Sequence, residues 1–163
     1  MQKERVVMAS SLCNVAQAVE FVHRFRADCQ RVIDEDKLDI PLENFLGLSA
    51  KECGYGQSPI IKRGLNNYFS MHSPAPLEIG RSQALGNPKV FLAHYTSFYH
   101  CAKSFSMRWG NTVRGKKDPS AFANALVCSR GCYNSGNDAT GGNSNFIKDL
   151  LDVIRAVKVR LSC

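Results

Sequence analysis

Ala50-Lys51-Glu52-Cys53-Gly54-Tyr55-Gly56-Gln57-Ser58 is the stretch on which the reading of this chain turns. It closes a helical pattern, because Leu42, Phe45, Leu46 and Ser49 precede it at positions i, i+3, i+4 and i+7. Pro41 suits the first helical position and Asp39 is a nearby cap candidate. Gly54 and Gly56 stop the helix, since glycine readily takes the left-handed conformation. Two turns separate Glu52 from Phe45, so both side chains point the same way. A carboxylate beside an apolar stripe, in the last turn before two glycines, is expected to have a raised pKa. Partial burial disfavours its charged form. The helix C-terminus is the negative end of the macrodipole. Neighbouring aromatic side chains exclude water. A carboxylic acid held protonated near neutrality can act as a general acid. The plain alternative is a helix-end glutamate without chemistry.

Working outward, Leu12, Val15, Val19, Val22, Phe25, Cys29 and Val32 predict one long first helix, closed by the polar turn Asp34-Glu35-Asp36. Lys3 and Arg5 ahead of Val6-Val7-Met8-Ala9 faintly suggest a signal peptide. Ser10, Ser11, Asn14 and Gln17 interrupt the run, so the segment is read as the start of that helix, with no cleavable export signal. Residues 54–88 are rich in Gly, Pro and Asn, and so irregular; Tyr68, Phe69 and Ile79 argue that they form an ordered surface with a short hairpin. Phe91, Tyr95, Phe98, Ala102, Phe105 and Trp109 predict a third helix from about Pro88 to Trp109, whose stripe is core or a stacking platform. Asp118-Pro119 opens a fourth helix through Phe122, Ala125 and Leu126. Gly131–Asn143 reads as a loop, and Ser144–Leu161 as a last helix with Ile147, Leu150, Leu151, Ile154 and Val157 on one face. The expected fold is α+β and mainly α-helical: about five helices, with a long loop and short hairpin inserted as one wall of a cleft. Residues 1–163 are expected to form one domain.

The chain carries 44% hydrophobic and 21% charged residues, an ordinary globular balance, with no apolar run long enough to span a bilayer. Its formal charge of +7 favours an anionic partner such as nucleic acid, anionic lipid or anionic cell wall. The seven cysteines suit an oxidising compartment, and their odd number leaves at least one without an intrachain partner. Cys128 with Cys132 and Cys53 with Cys101 are two candidate pairs, neither dictated by spacing. Four scattered histidines and no Cys/His cluster argue against a metal, and no cofactor is implied.

The segment 50–58 resembles the Glu-Ser-Gly-Trp-Gly-Lys-Ser segment of bacterial peptidoglycan N-acetylglucosaminidases, the FlgJ- and autolysin-type enzymes with a lysozyme-like fold. Asn66-Asn67-Tyr68-Phe69 resembles that family's Asn-Asn-Leu-Phe-Gly, and Gly131-Cys132-Tyr133-Asn134 resembles its Gly-Tyr-Ala-Thr-Asp. The likeness runs in order over about residues 40–155. It implies a lysozyme-like glycoside hydrolase with Glu52 as catalytic acid. It places a second carboxylate after the Asn-Asn segment, where Glu78 is the only acidic side chain between Cys53 and Lys117. It also implies substrate contacts from Tyr55, Asn66, Asn67, Tyr68 and Tyr133; the plain alternatives are a turn in which Asn66 and Asn67 bond their own backbone, and a packed loop aromatic at Tyr133. The substrate implied is the glycan strand of peptidoglycan; a muramidase or lytic transglycosylase on the same fold is the alternative. A catalytic domain without wall-binding modules or export signal further resembles type VI secretion effectors. These act in the periplasm of a rival cell and are held by a cognate immunity protein.

Two other classes compete. A basic helical nucleic-acid-binding module would account for the charge, but the basic residues are scattered and match no known motif. A catalytically inactive interaction domain on the same fold is the other.

Overall fold

Helix α3 (Leu42–Cys53) is buried on almost every side. Phe45, Leu46, Leu48, Ala50 and Cys53 are at most 1% exposed, so it is a core helix that reaches solvent only at its ends. Its buried polar side chains are tied to backbone. Ser49 Oγ donates to Tyr68 O at 2.9 Å, and Asn44 Nδ2 to Lys117 O at 3.1 Å. A Cβ on Gly47 would lie 2.8 Å from Ile154 Cγ1, so glycine lets the last helix press directly against α3. Gly54 ends α3 at φ 54°, and Tyr55 N closes the turn on Ala50 O at 2.9 Å.

The computed structural model describes residues 1–134 and 142–163. Around α3 stand α1 (Gln2–Cys13), α2 (Ala16–Glu35), the one-turn α4 (Pro59–Lys62), α5 (Phe98–Val113), α6 (Pro119–Ala125) and α7 (Gly142–Arg160). One hairpin, β1 (Gly80–Ala84) with β2 (Asn87–His94), pairs Gly80 with His94 through Gln83 with Phe91. The architecture is the expected α+β, mainly helical fold. α2, α3, α5 and α7 enclose two aromatic clusters. In one, Phe25 stacks on Phe98 at 4.1 Å beside Phe21 and Tyr68. In the other, Phe45, Phe69 and Phe105 lie 4.9–5.5 Å apart. Each such buried ring contributes about 2–3 kcal/mol by removing apolar surface from water.

Several expectations need correction. The first helix is two, broken at Asn14-Val15. No residue of α1 is buried, whereas α2 buries Phe21, Val22, Phe25, Cys29 and Val32. Only the second half of the sequence pattern therefore has a face to pack. With the short α4 also present, the described residues hold seven helices rather than five.

The third predicted helix does not start at Pro88. Asn87–His94 is β2, because the run can pair with β1 across the turn at Gly86 (φ 79°), and the helix begins at Phe98. Ser97 caps it, its Oγ accepting from His100 N at 3.2 Å. The stripe Phe98, Ala102, Phe105 is core, as one of its two readings held.

The pair Cys53–Cys101 does not form. Cys29, Cys53 and Cys101 are buried free thiols, while Cys128 bonds Cys132 and Cys13 bonds Cys163. Asp118 caps α6, accepting from Ala121 N at 3.0 Å. Asp39 caps nothing and instead lies 3.4 Å from Lys117 Nζ. The expected Gly131–Asn143 loop lies over residues 135–141 outside the described residues. Among the described residues no single helix is long and apolar enough to cross a membrane.

Candidate active site

Where α3 stops, its last turn opens onto a cleft of about 460 Å³. α3 contributes Lys51 and Glu52; the loop before the hairpin contributes Ser70, Met71 and His72. α5 contributes Arg108 and Trp109, the segment after α6 contributes Cys132, Tyr133 and Asn134, and α7 contributes Phe146. Four further stretches of chain therefore converge on the carboxylate that α3 carries. Glu52 is the only acidic side chain on the described lining.

The Glu52 side chain is 17% exposed. Burial pushes its carboxyl above the ordinary glutamate range, because the charged form loses hydration. Two neighbours oppose this. Lys51 Nζ stands 3.8 Å from Oε1, and the Ser70 side chain lines the same cleft. Lys51 also lies 4.6 Å from the centre of the Phe146 ring, which divides its ammonium between the two.

Tyr133 seals the back of the cleft. Its hydroxyl donates to Phe69 O at 2.7 Å, and its ring meets Phe105 and Trp109 edge-on at 5.3 and 6.3 Å. Burial, then the nearby Glu52 carboxylate, holds the phenol well above its usual range. The imidazole pKa of His72 is pushed down by burial and by Arg108, which favours its neutral form. Arg108 Nη1 donates to His72 O at 3.1 Å and Nη2 to Pro74 O, pinning that loop to α5.

Of the residues expected at the site, Glu52 and Tyr133 meet in this cleft. The others do not line it. Asn67 is 1% exposed; Nδ2 donates to Met71 O and Ala93 O at 2.9 and 3.0 Å, and Oδ1 accepts from Met71 N at 2.8 Å. It is a clamp inside the loop, out of a substrate's reach. Asn66, at φ 53°, donates to Tyr95 O at 3.1 Å and is likewise occupied in building the turn. Tyr68 is 6% exposed in the aromatic core. Tyr55 accepts from Arg160 Nη1 at 2.6 Å and, with Tyr68, borders a separate groove of about 120 Å³.

Glu78 accepts from Ser73 Oγ and Ala75 N, both at 3.0 Å, so its two oxygens close a turn away from the cleft lining. Sequence reading missed Lys51, Ser70, His72, Arg108, Asn134 and Phe146. Trp109 had a signal, as the last member of the aromatic stripe. Lys51 and Asn134 lie inside the quoted segments 50–58 and 131–134, and the rest carry no local pattern. Among the described residues no group of three or more His, Cys, Asp or Glu is placed to hold a metal ion.

No protein-family model matches the chain, and no curated protein matches it. Solved structures do. One chain of a type VI secretion system effector–immunity complex from Pseudomonas protegens shares 47% identity at a TM-score of 0.79, over 94% of this chain and 99% of that one. A peptidoglycan hydrolase from Sphingomonas sp. A1 shares 22% identity at 0.64, over 90% and 94%. The catalytic domain of the autolysin Auto from Listeria monocytogenes shares 12% at 0.60, over 99% and 96%. At those lower identities the last two speak for the fold, which is that of lysozyme-like peptidoglycan hydrolases.

Proposed function

Since this chain belongs to the family of its 47%-identical relative in the type VI secretion effector–immunity complex, we propose that it is the hydrolase-type partner of such a pair, an antibacterial effector that cleaves peptidoglycan glycan strands. The observation that carries the reading is Glu52: the only carboxylate on the described lining of the cleft, mostly buried, with its pKa raised by desolvation. Hydrolase folds in two wall-active enzymes add to it.

In this reading Glu52 gives its proton to the glycosidic oxygen as the sugar–oxygen bond breaks. Help on the opposite face of the ring comes from water or from the substrate's own acetamido oxygen, since Glu78 is committed to its turn. Trp109 and Tyr133 offer flat apolar surface to a sugar ring, and Arg108, Lys51 and Asn134 offer polar contacts. The bond we assign is the N-acetylglucosaminidase bond, on the strength of the resemblance over residues 50–58 and 66–69. One acidic side chain on the described lining also supports a muramidase or lytic transglycosylase. Mass spectrometry of wall digests separates them by their reducing N-acetylglucosamine, reducing N-acetylmuramic or anhydro ends.

Periplasmic action in a target bacterium is supported by two disulfides, Cys13–Cys163 and Cys128–Cys132, which suit an oxidising compartment. The partner we assign is an immunity protein that covers the cleft. The decisive experiment is digestion of purified wall by the unmodified chain and by Glu52→Gln. Loss of cleavage is expected; equal cleavage would remove Glu52 from the mechanism. Expression with an export signal should lyse the host, and harmless export would count against the effector role.

A further inference from the structure

A second groove, of about 270 Å³, lies between α4 and the hairpin. Pro59 and Ile60 of α4 form one bank; Ala84 and Leu85 at the hairpin turn, with Leu92 of β2, form the other. Arg63, just after α4, joins the two. Its Nη1 donates to Gln83 O at 3.2 Å, which uses one of the five guanidinium N–H donors. Ser70 lines this groove and the Glu52 cleft alike, so one residue stands between them. Two features mark the groove as incomplete without a ligand. Leu85 is 68% exposed although it belongs to an apolar wall. Ser58 also lines the groove, and its Oγ is shut off from water with no hydrogen-bond partner among the described residues. Buried polar atoms are ordinarily bonded, so this one stands out.

The two hollows differ in chemistry. The cleft presents the rings of Trp109, Tyr133 and Phe146, flat faces of the kind a sugar stacks on. The described lining of the groove holds no aromatic ring and no carboxylate, only aliphatic side chains, two hydroxyls and one guanidinium. Such walls suit methyl groups and an extended backbone. The guanidinium suits a carboxylate, which it can meet with two parallel N–H donors, and no acidic side chain on that lining repels one. Peptidoglycan strands carry short peptides on alternate sugars, with alanine methyls and free carboxylates. We infer that the groove between α4 and the hairpin is a subsite for the peptide stem of the strand whose sugars occupy the cleft. Stem methyls lie against Ile60, Leu85 and Leu92, a stem carboxylate pairs with Arg63, and a stem backbone group completes Ser58 Oγ. The inference deepens the reading of the chain as a peptidoglycan hydrolase and rests on it. It makes peptide-bearing wall, rather than bare glycan, the preferred substrate.

The test measures kcat/KM on soluble glycan strands that keep their stems and on strands stripped of them by an amidase. The unmodified chain should prefer the first by about tenfold, the low end for one hydrogen bond to a charged group. Arg63→Ala and Leu85→Glu should each raise KM on stem-bearing strands by a similar factor, with kcat there unchanged, and so erase the preference. Leu85 is exposed at a turn, so its variant keeps the fold even where Arg63→Ala loosens the hairpin. A soluble stem tetrapeptide titrated into the unmodified chain should move the methyl NMR signals of Ile60, Leu85 and Leu92. Equal rates of the unmodified chain on both strands, equal losses of the variants on both, or unmoved methyls overturn the subsite. A preference intact in both variants overturns it too, and weaker capture of the immunity protein by Leu85→Glu would then give the groove to that partner. Failure of the unmodified chain to cleave either strand fells the hydrolase reading and the subsite with it, whereas the other failures spare that reading.

Discussion

Two regions of this molecule each set a glutamate beside a tyrosine and a lysine, and reach opposite electrostatic results. Where the end of α2 meets α5, Glu35 is surrounded by Tyr99, Lys103 and Arg31. Tyr99 Oη donates to Oε2 at 2.6 Å, Lys103 Nζ to Oε2 at 3.1 Å, and Arg31 Nε to Oε1 at 2.6 Å. In the cleft, Glu52 is surrounded by Tyr133, Lys51 and Ser70. There the tyrosine spends its hydrogen on Phe69 O, and the lysine stands 3.8 Å off beside a phenylalanine ring. The first carboxylate is pulled down to about 2, by the Tyr99 hydrogen bond first and the two cations next. The second is pushed up by desolvation. A glutamate's role here follows from where neighbouring donors aim, more than from which donors are near.

The comparison breaks first on catalysis. Glu52→Gln should lower wall cleavage by about 10²–10⁴-fold, the usual loss when a general acid is removed, while Glu35→Gln leaves it unchanged. A dye-release assay on labelled wall reads both, and comparable losses would dissolve the distinction.

The two tyrosines give the next test. Tyr133→Phe leaves Phe69 O without its donor inside the protein and should cost about 1–3 kcal/mol in urea unfolding. Tyr99→Phe faces solvent and should cost less. If the two variants unfold together, Tyr133 does not hold the cleft wall.

The third test sets pH against stability. A carboxyl whose folded pKa lies above its unfolded value binds its proton more tightly when folded. The chain is therefore favoured below the unfolded value, and stability falls as pH rises through the interval to the folded value. Glu52→Gln should then raise the melting temperature near pH 8, by about 3 °C for about 1 kcal/mol in a chain of this size, and the gain should vanish near pH 4. A gain independent of pH would point to packing rather than charge.

Glu35 has the opposite sign. Its folded pKa is depressed, so its contribution is present above the unfolded value and lost as pH falls towards about 2. With 35% of its side chain exposed, Glu35→Gln should lower the melting temperature only slightly at pH 7, with no difference at pH 2. Added salt should erase that difference and spare the effect at Glu52.

Much of this was legible in short windows. The helix ending in Gly54, the Asp118-Pro119 start and the apolar face of α7 depend on neighbours within a few residues, and all three stand in the structure. Asn87–His94 was read as helix because its apolar residues fit a helical period as well as an alternating one. Its partner β1 is a weak strand on its own, and the pairing that decides the matter is not local. The Asn66 and Asn67 amides bond the loop's own backbone, one of the two uses open to them in sequence. Amide side chains bond backbone or substrate with the same atoms, and only burial tells the two uses apart.

Local chemistry was enough to place Glu52 at a helix end, because periodicity and glycine stops act over a single turn. It could not tell that Glu78 would spend both oxygens on its own loop, nor that Lys51, Ser70, His72, Arg108 and Phe146 would gather around one carboxyl. Those facts depend on approaches between segments far apart in the chain. Such approaches are set by how α3, α5 and α7 bury their apolar faces against each other, a many-body packing outcome that no window of sequence contains.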